Sequence, residues 1–306
     1  MSTGMRADAG TSVAVVAKTR NVNGGRGGVH PPLQGEGRTA EGSPGWGDAE
    51  VPRKRKRHYP LLARKRRPAS PLQGEAKYAD FTSPALYRLI TWMSPSYPVG
   101  AFSYSGGIEW AVEAGDIRDA ETLRSWLATM IRDGSLFCDA AMFCHAHRAS
   151  ASGDDQALAA VAELAAAFVG SKERFLETTA QGEAFRQITQ AAWPAPAMDR
   201  LTAAWDGPLA YPIVVAAACA GHGIALIPAL QAFLHGVAAN LVSAGVRLIP
   251  LGQTDGQRVL AALEGGIAQT VARALVTALD DAGAATLRAD IAGMRHETQY
   301  TRLFRS

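Results

Sequence analysis

Two pairs of residues with metal-binding side chains occur in the chain, each with a spacing of three. Cys144 and His147 form the first pair, and Cys219 and His222 form the second. Residues three apart share one face of an α-helix, and thiolate with imidazole suits metals such as zinc or nickel. Each pair supplies only two of the four ligands of a closed structural site, so buried core residues are the favoured interpretation.

The end of the chain, Met294–Ser306, combines arginines with large apolar side chains in the sequence MRHETQYTRLFRS. The residues that alternate there are Arg295, Arg302 and Arg305 with Tyr300, Leu303 and Phe304. Arginine and aromatic residues are favoured in the energetic centres of protein interfaces. The residues alone leave two interpretations open: a partner-binding surface, or a final segment docked on its own domain.

No catalytic motif accompanies these groups. The stretch GAFSYSGG places glycines at Gly100 and Gly106, but Gly107 and Ile108 stand where a phosphate-binding loop needs Lys and Ser or Thr. The sequence contains neither a G-x-S-x-G elbow nor an H-E-x-x-H pair. We therefore predict no catalytic residue, no bound nucleotide and no enzymatic activity.

The residues after about Tyr78 have the apolar spacing of amphipathic helices. One stripe runs from Leu123 to Ile131, and another runs from Leu158 to Val169. Asp119 is placed to cap the first of these helices. Because no run of alternating β-branched residues appears, we predict an all-α fold, a single globular bundle of about ten helices over residues 77–306.

Two further segments carry specific expectations. The apolar stripe between Gln253 and Asp281 predicts one long helix, and the pair Gly265–Gly266 within it suggests a close crossing by another helix. Residues 207–246 contain no Asp, Glu, Lys or Arg. Prolines and polar side chains interrupt that run, so it predicts central helices packed on all sides rather than a membrane hairpin.

The first 76 residues differ in composition from the rest. They hold 14 Lys and Arg against 6 Asp and Glu, whereas the remaining residues hold 17 against 22. This part is rich in Gly, Pro and Ser and repeats PLQGE, which predicts a disordered basic leader, 1–76, from a mis-assigned start or translated repetitive DNA. Its run PRKRKRHYPLLARKRR, with nine Lys and Arg, could bind nucleic acid.

The chain has three cysteines, Cys138, Cys144 and Cys219. Their number is odd and they lack the regular spacing of a disulfide framework, which suits the reducing cytoplasm.

Three blocks of the helical part closely resemble the urease accessory protein UreF family. They are SYPVGAFSYSGGIEW from Ser96, LGQTDGQ from Leu251, and RHETQYTRLFRS at the C-terminus. The similarity spans about Leu86 to Ser306. It implies an all-helical, homodimeric, cytoplasmic and non-enzymatic protein that works with UreD (UreH in some species), the GTPase UreG and apo-urease.

The resemblance also implies how the candidate residues act. The partner complex, not this chain, would handle nickel and GTP. The C-terminal residues Arg295, His296, Tyr300, Arg302, Leu303, Phe304 and Arg305 would contact UreD. Cys219 and His222 are candidates for lining a nickel path through the bundle, and normal urease activation by a double alanine variant would reduce them to core residues.

The stretch Ser94–Trp110 connects two predicted helices, one that ends near Met93 and one that starts near Ser105 and carries Ile108 and Trp110. Its prolines and glycines predict a rigid joint between helices, with Phe102 in the core and Tyr104 at a dimer or partner surface.

The alternative function is a nucleic-acid-binding protein that acts through the basic leader. A gel shift of the full chain against a chain starting at Tyr78 discriminates between them; we expect no membrane and no nucleic-acid partner.

Overall fold

The computed structural model describes residues 83–306. The predicted leader, residues 1–76, and its basic run lie outside the described residues, so the predicted boundary at residue 77 stays a prediction.

Helices make up most of the described part of the chain. In order they are α1 Ser83–Trp92, α2 Ile108–Glu113, α3 Ala120–Asp133, α4 Ser135–Ser152, α5 Asp155–Ala167, α6 Lys172–Ala192, α7 Pro196–Ala204, α8 Tyr211–Gly221, α9 Leu226–Leu248, α10 Gln253–Ala274 and α11 Leu287–His296. Two short 3-10 helices, Ala101–Ser103 and Leu279–Asp281, lie in connections. No strand occurs within residues 83–306, which confirms the prediction of an all-α bundle of about ten helices.

Helix α8 is the centre of the bundle. It packs against α4, α6, α7 and α9, and every residue from Pro212 to Cys219 is buried. Aromatic side chains fill the space around it, since Tyr211 contacts both Phe185 and Phe233. The uncharged sequence of α8 therefore reflects burial on all sides, as predicted.

Helix α9 departs from that prediction because one of its sides is exposed. Leu230, Phe233 and Leu234 are buried, whereas Gln231 and His235 face outward. Within residues 83–306, α9 is the one helix long and apolar enough to cross a membrane. A core helix of a soluble protein passes the same test of length and composition, so the finding is weak support for a span.

Local side-chain chemistry sets the helix ends. Asp119 caps α3 as predicted, because its carboxylate accepts the Thr122 N–H at 2.8 Å. Helix α10 ends at Ala274, earlier than the predicted Asp281. Two side chains of α4 explain this early end: Arg148 donates to the Leu275 carbonyl at 2.6 Å, and the His145 ring lies 3.0 Å from the Thr277 carbonyl.

The predicted helix crossing at Gly265 and Gly266 is wrong. A Cβ atom built on either glycine meets no other atom within 4 Å. The close approach occurs in α6 instead, where a Cβ on Gly182 would lie 2.1 Å from the Leu209 carbonyl oxygen. Which glycine admits a neighbouring backbone depends on the packing of distant segments, and the local pattern of α10 does not contain that information.

Candidate functional site

The last ten residues, Glu297–Ser306, form a segment that we call the C-terminal segment. It follows α11 without a break and lies against α2 and α6. Close helix contact brings α11 to α2, because a Cβ on Gly107 would lie 2.8 Å from the backbone nitrogen of Gly293. Three glutamates, Glu109, Glu173 and Glu177, receive the segment, and we call them the glutamate cluster.

Glu109 of α2 is the most heavily used member of the cluster. Its Oε1 accepts the Leu303 N–H at 2.6 Å, and its Oε2 accepts the Phe304 N–H at 2.9 Å. The ring atom His296 Nε2 lies 2.9 Å from the same Oε2. Glu109 is 7% exposed, so these partners replace the water that the carboxylate loses on folding.

Glu173 of α6 holds the same histidine from its other side. Its Oε2 lies 2.6 Å from His296 Nδ1, and its Oε1 accepts from the Arg302 guanidinium at 2.8 Å. His296 is fully buried at the end of α11. The imidazole ring therefore bridges α2 and α6.

The final residues pair with the connector that precedes α2. The Arg305 N–H donates to the Ser103 carbonyl at 2.8 Å, and the Ser105 N–H donates to the Ser306 carbonyl at 2.6 Å. The Ser306 hydroxyl lies 3.2 Å from a carboxylate oxygen of Glu177. The C-terminal segment is thus attached along its length to buried groups of its own domain.

The predicted interface residues divide into two groups by exposure. Phe304 and His296 are buried, and the Arg247 guanidinium lies 4.5 Å from the centre of the Phe304 ring. The exposed members are Arg295, Tyr300, Arg302, Leu303 and Arg305, with Tyr300 fully exposed and Leu303 67% exposed. The segment is therefore docked and at the same time presents an outer face, and its contact with a partner stays a prediction.

The connector residues are placed the other way round from the prediction. Phe102, predicted in the core, is 67% exposed, and Tyr104, predicted at a surface, is 6% exposed. Helix α9 explains this orientation, because Asn240 donates to the Ala101 carbonyl at 2.8 Å and Arg247 donates to the Phe102 carbonyl at 3.0 Å. These bonds hold the backbone oxygens against α9 and leave the Phe102 ring outside.

Neither Cys/His pair forms a metal centre with further ligands. Within the described residues, no group of three or more His, Cys, Asp or Glu side chains is arranged to hold a metal ion. Burial raises the pKa of the Cys219 thiol, which disfavours the thiolate that a metal binds. Burial also lowers the pKa of His222, whose Nε2 lies 3.0 Å from the Trp193 carbonyl. The role of Cys219 and His222 in a nickel path stays a prediction.

A cavity of about 360 Å³ lies beside the glutamate cluster. Asp139 and Arg174 form an ion pair on its wall, and the Arg174 guanidinium also lies 3.3 Å from a Glu177 oxygen. Burial raises the pKa of the Asp139 carboxyl, and the charge of Arg174 opposes that rise. The cavity is large enough for several water molecules or a small polar ligand.

The sequence of this chain was compared with protein-family models and with known proteins. A family model described as UreF matches residues 117–264. The chain is 57% identical to the urease accessory protein UreF of Rhodopseudomonas palustris strain BisB18 over 234 residues, which are 76% of this chain and 97% of that protein. It is 60% identical to the urease accessory protein UreF of Bradyrhizobium diazoefficiens over 222 residues, which are 72% of this chain and 92% of that protein.

The chain belongs to the UreF family. The resemblance that the three sequence blocks suggested is thereby confirmed. A third relative, the urease accessory protein UreF of Bradyrhizobium sp. strain ORS 278, is 60% identical over 222 residues, which are 72% of this chain and 92% of that protein. All three relatives carry the name of an accessory protein rather than of an enzyme.

Sequence reasoning missed the glutamate cluster of this UreF-family chain. One signal for it was present, because Glu109 is the one charged residue in the stretch SPSYPVGAFSYSGGIEW. A lone carboxylate among apolar and small residues indicates a buried charge that needs partners. Those partners lie 187 to 195 positions further along the chain, so their identity could not be read locally.

Proposed function

We propose that this UreF-family protein is a non-enzymatic, cytoplasmic scaffold for urease maturation. Together with UreD (or UreH) and the GTPase UreG, it drives GTP-dependent insertion of nickel into apo-urease. The partners bind nickel and GTP, and this chain holds the partners in position. The observation that carries the proposal is the docked C-terminal segment, whose buried side anchors it and whose outer side leaves apolar residues uncovered.

Five exposed apolar side chains of α11 and the C-terminal segment make up the proposed protein-binding surface. Three side chains of α11, spaced four and three apart, are exposed, and the exposed residues of the C-terminal segment follow them. We call this set the C-terminal apolar surface; it consists of Leu287, Ile291, Met294, Tyr300 and Leu303. Exposed large apolar residues close to arginines in the chain are typical of protein-binding sites. In the proposed scaffold, this surface binds UreD.

A second uncovered area supports the homodimer. Helix α1 exposes Leu86, Tyr87 and Ile90, and Ile227 at the start of the neighbouring α9 is half exposed. Mutual burial by a second copy would remove these side chains from water, since a two-fold interface uses the same area of both copies.

The dimer makes a direct prediction. Ile90→Asp places a charge in the proposed interface, so we expect it to shift the protein from dimer to monomer, with at least a tenfold weaker self-association. Light scattering on eluting protein measures the mass. Val276→Asp, at an exposed apolar position beyond α10, is the matched control and should stay dimeric. A monomeric wild-type protein at micromolar concentration would contradict the dimer.

Deleting the gene from a co-expressed urease operon tests the scaffold itself. Without the scaffold, we expect urease to accumulate as apo-enzyme, with its nickel content and activity reduced at least tenfold at limiting nickel. Elemental analysis of purified urease measures its nickel content. A pull-down of UreD and UreG with and without GTP measures partner binding and its dependence on the nucleotide. Full activation of urease at limiting nickel in the deletion strain would refute the scaffold proposal. A chain starting at Tyr78 should restore activation if the leader is dispensable.

A further inference from the structure

The C-terminal segment has an alternating pattern of burial. Leu303 and Arg305 are exposed, whereas Phe304 and Ser306 are buried. An extended chain points successive side chains to opposite sides, so a shift by one residue would exchange the two sets. Such a shift would turn the Phe304 ring into solvent and Leu303 inward. The register of the segment therefore decides which side chains a partner meets.

Two of the backbone contacts that set this register end on one carboxylate, and the other two join Arg305 and Ser306 to the connector. Two successive N–H groups, those of Leu303 and Phe304, donate to the two oxygens of Glu109. A carboxylate is acceptor-only and has room for several donors. A glutamine at this position would offer one acceptor oxygen and turn an NH₂ group toward an N–H donor. The charge of Glu109, and not only its size, is matched to this segment.

His296 fixes the start of the same segment. Both ring nitrogens face carboxylate oxygens, with Nε2 toward Glu109 at 2.9 Å and Nδ1 toward Glu173 at 2.6 Å. Each ring nitrogen therefore lies within hydrogen-bond distance of a carboxylate oxygen, in a place that excludes water, where hydrogen bonds to carboxylates are strong.

We propose that Glu109 and His296 are positioning residues that lock the C-terminal segment in the register that presents Tyr300 and Leu303. They do not touch the partner themselves, because both are buried. The inference rests on the proposed function in one respect: the face that they present is the proposed UreD-binding surface. It goes beyond that function by naming the buried groups that decide whether the surface exists.

Amide hydrogen exchange on the full-length protein tests the lock, with Glu109→Gln and His296→Gln as variants. In each, we expect the amides of Leu303 and Phe304 to exchange at least tenfold faster, with exchange in α4 and α8 unchanged. Affinity for UreD should fall about tenfold, because the bound register is then only one of several. Glu121→Gln is the matched control, since Glu121 pairs with Arg124 on the exposed side of α3.

Two results would overturn the inference. Unchanged exchange of both amides in both variants refutes the lock, and faster exchange with unchanged UreD affinity refutes the positioning role. If Glu109→Gln does not fold, His296→Gln decides alone, because it weakens the bridge from the segment and leaves α2 intact. Exchange in the free protein does not depend on UreD. A failure of the proposed UreD surface is recognised separately, as normal UreD binding by a chain that lacks the Tyr300 and Leu303 side chains.

Discussion

Replacing Tyr300 and Leu303 together by alanine is expected to weaken UreD binding by about 100-fold or more and to leave the fold intact. Both side chains project into solvent, so their removal takes no contact from the core. The Leu303 N–H still donates to Glu109, because this bond belongs to the backbone. Large apolar side chains at the centre of an interface contribute more than about 1 kcal/mol each, and 100-fold corresponds to about 2.7 kcal/mol for the two together.

Titration calorimetry with purified UreD measures the affinity, and circular dichroism with thermal unfolding checks the fold. Val276→Ala is the matched control, because Val276 is an exposed apolar residue outside the proposed surface. We expect it to bind UreD like the wild type. Equal affinity of the double variant and the wild type would refute the proposed surface, and a lowered melting temperature would show that the two side chains support the fold.

Gly182→Ala is expected to destabilise the protein by about 3 kcal/mol or more. The added methyl group would lie 2.1 Å from the Leu209 carbonyl oxygen and 3.1 Å from the Ala210 carbonyl carbon. Neither backbone atom can move without displacing the start of α8, the most buried helix. Overpacking of this kind costs about 1–3 kcal/mol where side chains can adjust, and more where backbone must shift.

Gly265→Ala makes the matched comparison within a helix. Its added methyl group meets no atom within 4 Å, so alanine's better helix propensity should raise stability by about 0.5–1 kcal/mol. Urea unfolding of the two variants gives the free energies, and melting temperatures should move in opposite directions. Similar effects of the two substitutions would contradict the close approach of α6 to the segment before α8.

Much of the fold follows from local pattern. The stripes at Leu123–Ile131 and Leu158–Val169 lie on α3 and α5, and the predicted cap at Asp119 is present. These features depend on neighbours within about four residues, which is the reach of a helical turn. The missing charges of residues 207–246 likewise indicated burial, although α9, which carries no charge before Arg247, still exposes its polar side.

The candidate site was predicted only in part for the same physical reason. Its composition, arginine with aromatic residues at the C-terminus, identified the segment as a candidate interface. Which side chains turn outward depends on Glu109 and Glu173. Glu109 lies 195 positions before Phe304, and Glu173 lies 129 positions before Arg302, to which they are bonded. The orientation of Phe102 and Tyr104 was wrong for a similar cause, because α9 holds that backbone from a distance.

The amino-acid sequence by itself determined the helical class, the cap of α3 at Asp119 and, through three blocks of residues, the family. These properties reside in periodicity and in short contiguous motifs, so folding does not have to be known to recognise them. The tertiary structure alone decided that Glu109, Glu173 and His296 meet, and hence which face of the C-terminal segment is exposed. Burying a charge is unfavourable unless distant donors converge on it, and only the folded chain brings those donors together.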